Sequence, residues 1–459
     1  MQLICDGKPS AILVDKAYGN TNGYKQLIRA IDDLRQDFAM VCGAIDSSRI
    51  PVDDTRVMQA ARLVSAGNKT PALLHDAEDA MSGNIILIGT LEDSGYIQEL
   101  MERGLLAEAE EIRGRWEAYL VKRVAHPFEE ISNALVIAGS DIRGAIYGIY
   151  DLSEYIGVSP WYWWSDVPVK TWQNLWYNRE TVVDRGPDVR YRGIFLNDEE
   201  RLVDWAAVHF PEDRTWDNKP LRGPNEPIYR HFFELLLRLG ANVLWPAMHE
   251  GTTAFNFHTD AQGISVNGKA ANEYGIIMGS SHCEILLRNN VGEWDAWYEQ
   301  NKEQFAIRGE DSYAAFDYTL NREAILSYWR ERLAANKDFE GIYVLGIRGI
   351  HDGAPRYAAL EEAGYGTGLG GIVAMQKDVI ARQRALIAEV FGCPDAVPQV
   401  FVPYKEMNDY YNYNSGELAS WLPEDIIIMY AEDNQGYLRQ TPTDAERKRK
   451  GGCGVYYHL

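Results

Sequence analysis

Three stretches, GIYVLGIRG (341–349), PQVFVPYKE (398–406) and IIIMYAED (426–433), decide the fold. Each is an apolar run of strand length that breaks into charge at its C-terminal end, on Arg348, Glu406 and Glu432 with Asp433. Uninterrupted apolar strands are buried on both faces, the condition of a parallel sheet covered by helices. Working outward, the same rhythm occurs at YRGIFLND (191–198), ANVLWPAMHE (241–250), GIIMGSSH (275–282) and GCGVYYHL (452–459). These end on Asp198, His249, His282 and His458, with helical periodicity between most of them, as in YRHFFELLLRLGA (229–241). In a (β/α)8 barrel the reacting groups sit at the C-terminal strand ends, whereas an open doubly wound sheet gathers them at one switch point. The expected fold class is therefore α/β, with a TIM-like barrel over 190–459. Seven of its eight strands are counted, the seventh reaching Leu459. The chain is accordingly expected to be a truncated one, of low stability alone because an open barrel exposes two edges.

Upstream, residues 1–165 read as an N-terminal α/β layer domain. SAILVD (10–15), FAMVCG (38–43), NIILIGT (84–90) and NALVIAGS (133–140) are taken as strands, with QLIRAIDDLRQ (26–36) helical between the first two. DIRGAIYGIYDLSEYIG (141–157) has helical periodicity with Asp141 as N-cap. The turn GSDIRG is not a GxGxxG fingerprint, so no dinucleotide cofactor is expected. Residues 166–189 read as a linker.

A composition of 46% hydrophobic residues supports sizeable cores. The net charge of −22 repels phosphate backbones and anionic lipid, so neither nucleic acid nor membrane is an expected partner. No apolar run reaches the roughly 18 residues of a membrane span, and no signal peptide is evident, which favours a cytoplasmic location with secretion as the alternative. Five scattered cysteines without a CxxC pair point to reduced thiols, not to a disulfide framework or a zinc site. A homodimer is left open.

The segments 139–169, 191–200, 235–250, 272–284, 346–353 (GIRGIHDG), 402–406 (VPYKE) and 446–459 (ERKRKGGCGVYYHL) together resemble glycoside hydrolase family 115 across nearly the whole chain. The resemblance implies an N-terminal α/β domain, most of a catalytic barrel, and a multi-domain protein hydrolysing α-1,2-linked glucuronic acid, or its 4-O-methyl ether, from glucuronoxylan or its oligosaccharides with inversion. No cofactor is implied. The fourth-strand motif departs from the family's RGDGDE-like run, reading RGIHDG (348–353) and keeping only the later acid, Asp352. Where the family often has two aspartates before an asparagine, Glu432, Asp433 and Asn434 stand here.

Inverting hydrolysis needs one protonated carboxyl and one carboxylate on opposite sides of the bond. Asp352 and Glu406 come from neighbouring strands and are taken as general acid and general base, with the reverse assignment open. A uronate calls for a fixed cation, and Arg348 suits bidentate binding; the alternative is that Arg348 pairs with Asp352 or another barrel acid. Lys405 is expected to point away from Glu406. His282, ahead of His249, is a candidate for hydrogen bonds to sugar hydroxyls or a carboxylate. Asp198 is a substrate contact or a helix cap. Tyr404, Glu432, Asn434 and His458 complete the expected substrate-binding set, and Trp245 is core first and sugar platform second. Two other functions stay in view: a sugar-binding or inactive relative, and a metal-dependent sugar isomerase, although no HxH or HExxH spacing supports a metal.

Overall fold

The computed structural model describes residues 1–459 except 17–20, 52–54, 80–82, 130, 198–200, 210–214, 217–218, 221–223, 249–254, 257 and 459. The chain forms two compact units. One comprises residues 1–193, 226–243 and 270–276; the other comprises 194–225, 244–269 and 277–459.

The first unit is built on a six-stranded sheet in the order Leu73–Leu74, Ala11–Val14, Gly83–Thr90, Ile131–Gly139, Tyr119–Ala125, Val182–Asp184. The first four are parallel and the last two run antiparallel to their neighbours. The apolar runs read as strands at 10–15, 84–90 and 133–140 are its centre. Alternate residues Leu13, Ile85, Leu87, Ala134, Val136 and Ala138 face one core with Ile97, Leu100, Leu106 and Ile112, as the period of two requires. Helix Ile142–Ile156 starts as read, with the Asp141 carboxylate accepting from Gly144 N at 2.8 Å.

Two readings change. FAMVCG (38–43) is no strand: a single helix, Asn22–Val41, runs through it and buries Phe38, Ala39, Met40 and Val41. No Gly or Pro separates DDLRQ from FAM, so propagation of the helix prevails over the strand propensity of four apolar residues. The segment 166–189 is more than a connector. Leu175–Trp176 pairs antiparallel with Gln2–Cys5, and Val182–Asp184 forms the sheet edge beside Tyr119–Ala125.

Helix Glu226–Arg238 lies outside the expected 1–165 domain yet belongs to the first unit. A buried ionic network holds it there. Arg238 forks onto Asp37 at 2.9 and 3.0 Å and onto Glu234 at 2.8 Å, and Tyr162 Oη donates to Glu234 at 3.1 Å. Nearby, the Arg29–Asp33 pair is also buried, with Tyr150 Oη donating to Asp33 at 2.6 Å. Such charges are tolerated in a core only when paired.

The second unit carries, apart from the leading residues Gly193 and Val243 of the first two, the seven strands in sequence order: Gly193–Phe195, Val243–Trp245, Ile277–Met278, Tyr343–Val344, Gln399–Phe401, Ile427–Ala431 and Cys453–Tyr456. The last four are parallel in register, and a parallel bridge between Met278 and Gly341 joins the third to the fourth. Leu196 N donates to Trp245 O, and Gly279 N to Leu244 O, extending the same ladder through the first three. Helices Tyr318–Ala335 and Gly368–Phe391 follow the third and fourth strands, and Glu406–Trp421 follows the fifth. Trp245 is 5% exposed, with its ring 6.2 Å from Phe195 and 5.3 Å from Tyr456. The indole lies so close to Gly279 that a Cβ there would stand 2.2 Å from Nε1, so only glycine fits the neighbouring strand. Trp245 is thus core.

Candidate active site

The ends of the third to seventh strands converge on one polar cluster. Strand four ends at Arg348, whose side chain is 1% exposed. Its Nε and Nη2 each donate to Glu406 at 2.8 Å, Nη2 also donates to the Asp352 carbonyl at 2.9 Å, and Nη1 meets the Asp352 carboxylate. One guanidinium therefore holds both expected catalytic carboxylates, each about a fifth exposed. Of the two readings of Arg348, this geometry realises the pairing with barrel acids. Buried on the protein's own carboxylates, it has no free fork to offer a substrate.

Two glutamines that the sequence reading passed over aim this arginine. Gln376 accepts from Ile347 N at 3.1 Å and donates to Ile347 O at 2.8 Å; Gln383 does the same for Gly346, at 2.9 and 2.7 Å. Both side chains are fully buried. Seven residues apart, they lie two turns along one face of helix Gly368–Phe391. Amides at that spacing on an otherwise apolar face are the signal that could have found them. Their four bonds satisfy backbone groups where the strand ladder ends and fix the register of Arg348.

Asp352 also accepts at Oδ1 from His282 at 2.7 Å and is ion-paired at Oδ2 by Lys405. Lys405 lies past the end of the fifth strand with a φ of +50°, and its ammonium is on Asp352, not on Glu406. Asp352 and Asn434 have φ of +61° and +65°, so the ends of strands four, five and six each carry a non-glycine residue in the left-handed region. The loop 349–353 closes by a Gly349 N to Gly353 O bond of 2.9 Å, and a Cβ on Gly349 would stand 2.2 Å from Ala354 O.

His282 meets Tyr404 edge to face at 4.6 Å and lies 5.8 Å from Tyr456, whose ring stacks on His458 at 5.5 Å. His458 Nδ1 contacts the buried Glu432 carboxylate, which accepts from Gly436 N at 2.7 Å on its other oxygen. Tyr404 Oη donates to Asn434 Oδ1 at 3.3 Å. Tyr404, Lys405, Glu432, Asn434 and Arg439 line a cavity of about 230 Å³; Asp352 and Glu406 do not line it, but Lys405 joins it to Asp352. The expected set is thus brought together in two linked groups, Arg348–Glu406–Asp352–His282 and Tyr404–Asn434–Glu432–His458. Asp198, with its neighbour Glu199, and His249 lie outside the described residues.

His282, Cys283 and Asp352 place one nitrogen, one sulfur and one oxygen within 4.8 Å of one another. They do not suit a divalent cation. Arg348 and Lys405 already put two positive groups on Asp352. Burial, and then the charge of Glu284, pushes the Cys283 thiol up, away from the thiolate a metal would bind.

A parallel barrel with paired carboxylates at its C-terminal face is the class of the glycosidase barrels. The chain belongs to glycosyl hydrolase family 115, whose sequence profile matches residues 184–459. A solved structure described as a family GH115 4-O-methyl-α-glucuronidase, with specificity for decorated arabinogalactans, shares 30% identity and superposes with a TM-score of 0.73. The match covers 100% of this chain and 49% of that one, so the chain spans about half the length of this relative. A GH20 exo-β-N-acetylglucosaminidase from Vibrio harveyi, solved with N-acetylglucosamine, shares 12% identity at a TM-score of 0.46, over 99% of this chain and 58% of that one. No curated protein matches the chain. Among the described residues, no helix is long and apolar enough to cross a membrane.

Proposed function

We propose that this chain carries the first domain and the acid-bearing strands of a glycoside hydrolase that removes α-linked glucuronic acid, or its 4-O-methyl ether, from polysaccharide side chains. The observation that carries the reading is the joint seating of Asp352 and Glu406, from adjacent strands, on one buried guanidinium. In this mechanism one carboxyl protonates the departing glycosidic oxygen while the other takes a proton from water attacking the anomeric carbon, which inverts the configuration. Arg348 fixes the two acids relative to each other. His282, bonded to Asp352, is placed to pass a proton to or from it. Tyr404, Glu432, Asn434 and His458 bind the sugar, and Asp198 remains a candidate contact from the first strand.

Glucuronoxylan with α-1,2-linked side chains is the first substrate to test. Decorated arabinogalactan is the second, because the 30% identical relative is described as specific for it. Free uronic acid released from either polymer would be followed by chromatography, and the anomer first formed by NMR. Release with net inversion, abolished in Asp352→Asn and Glu406→Gln, is the expected result. No release from either polymer by the folded, full-length protein would refute the reading and favour sugar binding without turnover.

A further inference from the structure

With Arg348 buried on Glu406 and Asp352, and Lys405 on Asp352, a uronate carboxylate needs another cation. Two cations line the cavity, Lys405 and Arg439; Lys405 is paired with Asp352, and Arg439 is left. Arg439 lines it beside Glu432, which is paired with His458, and Asp433, which accepts from Gln435 N and Tyr437 N; among the described residues Arg439 itself is an exposed arginine with no ion pair and no hydrogen bond, in a chain of 67 acidic and 45 basic residues. A guanidinium left unpaired amid an excess of acids is poised for an anion from outside.

The backbone around Arg439 is built, not loose. Residues 432–438 form a small hairpin: Glu432 and Leu438 pair as an antiparallel bridge, and Asp433 N donates to Tyr437 O at 3.1 Å. Gly436 N and Tyr437 N donate to the carboxylates of Glu432 and Asp433 at 2.7 and 3.2 Å. On the far side, Gln440 accepts from Asn412 Nδ2 at 3.0 Å. Arg439 thus stands between two anchored residues and lines the cavity together with Asn434.

We propose that Arg439 is the specificity-determining residue that binds the carboxylate of an acidic sugar in this cavity. The proposal rests on the glycosidase reading above and adds which residue selects a uronate over a neutral hexose. A planar fork of donors matches a carboxylate bidentately, and losing such charge-assisted bonds weakens binding by about 10- to 100-fold.

The test is equilibrium binding of glucuronate and of glucose to the full chain, by calorimetry or ligand-observed NMR, for wild type, Arg439→Ala and Arg439→Lys. Wild type is expected to prefer glucuronate. Arg439→Ala should lose that preference by about tenfold or more with glucose affinity and melting temperature unchanged, and Arg439→Lys should recover part of it. A preference that survives intact in Arg439→Ala overturns the proposal and leaves the glycosidase reading standing. A wild type with no preference for glucuronate overturns both.

Discussion

Arg348→Ala separates the two roles open to that arginine. If it organises the site, the change removes two bonds of 2.8 Å to Glu406, one of 2.9 Å to the Asp352 carbonyl, and the contact with the Asp352 carboxylate. Removing one partner of a buried pair costs about 3–5 kcal/mol, because charge is left behind without compensation. Both acids are about a fifth exposed, so water reaches them and the lower half of that range applies. A unit of this size loses about 2–4 °C of Tm per kcal/mol, so the drop should be roughly 6–16 °C. Calorimetry reads this directly, and Arg348→Lys should recover little, because an ammonium has no planar fork to meet Glu406 bidentately while also reaching the Asp352 carbonyl and carboxylate. An unchanged Tm with loss of glucuronate binding alone would refute the reasoning and return Arg348 to the substrate.

Gln376→Leu should destabilise the same unit by about 2–4 kcal/mol, since it leaves the N–H and carbonyl of Ile347 buried without partners; urea denaturation measures it. Asp352→Asn and Glu406→Gln should each lower kcat on a glucuronosyl substrate by about 10²–10⁴-fold, with the fold intact by circular dichroism. In the first unit, burial holds His231 down at about 3 against an ordinary 6.5, with its ring stacked on Trp163 at 3.7 Å. The folded state keeps His231 neutral, so its contribution is whole above pH 6.5 and is lost as pH falls towards 3. Between pH 7 and 5 that loss is about 2 kcal/mol. Glu234, pushed up by burial on the same helix, works in the opposite direction over this range. His231→Phe, which retains a flat ring on Trp163, should therefore raise stability at pH 5 relative to pH 7 by about 2 kcal/mol more than wild type does. Denaturation curves at the two pH values read the difference, and an unchanged pH slope would contradict a buried neutral His231.

The barrel was legible because its signal is local: an apolar strand ending in charge announces itself within nine residues, as in GIYVLGIRG (341–349). Residue types at strand ends were legible for the same reason, and His282, Arg348, Asp352, Glu406, Tyr404, Asn434, Glu432 and His458 do meet. Pairing was not legible. Whether Arg348 turns to a substrate or to Glu406 depends on χ angles and on the bend at Lys405, and neither is written in spacing. Two glutamines on helix Gly368–Phe391 went unread, because their partners are backbone groups some thirty residues away. The membership of helix Glu226–Arg238 was hidden for a related reason: the acid that fixes it, Asp37, lies 201 residues earlier.

The left-handed residues at the ends of strands four, five and six bear on the proposed mechanism. Each such conformation costs about 1–3 kcal/mol and persists only where the surroundings over-determine it. Here the surroundings are identifiable. The Asp352 carbonyl is held by Arg348, its carboxylate by His282 and Lys405, and Asn434 by the Tyr404 hydroxyl. The positive-φ residues and the ion pairs thus occur at the same strand ends, where the contacts can hold the distortion. In the proposed mechanism this means that Asp352 and Glu406 are fixed before any sugar arrives, so reorganisation is settled during folding and does not recur at each turnover.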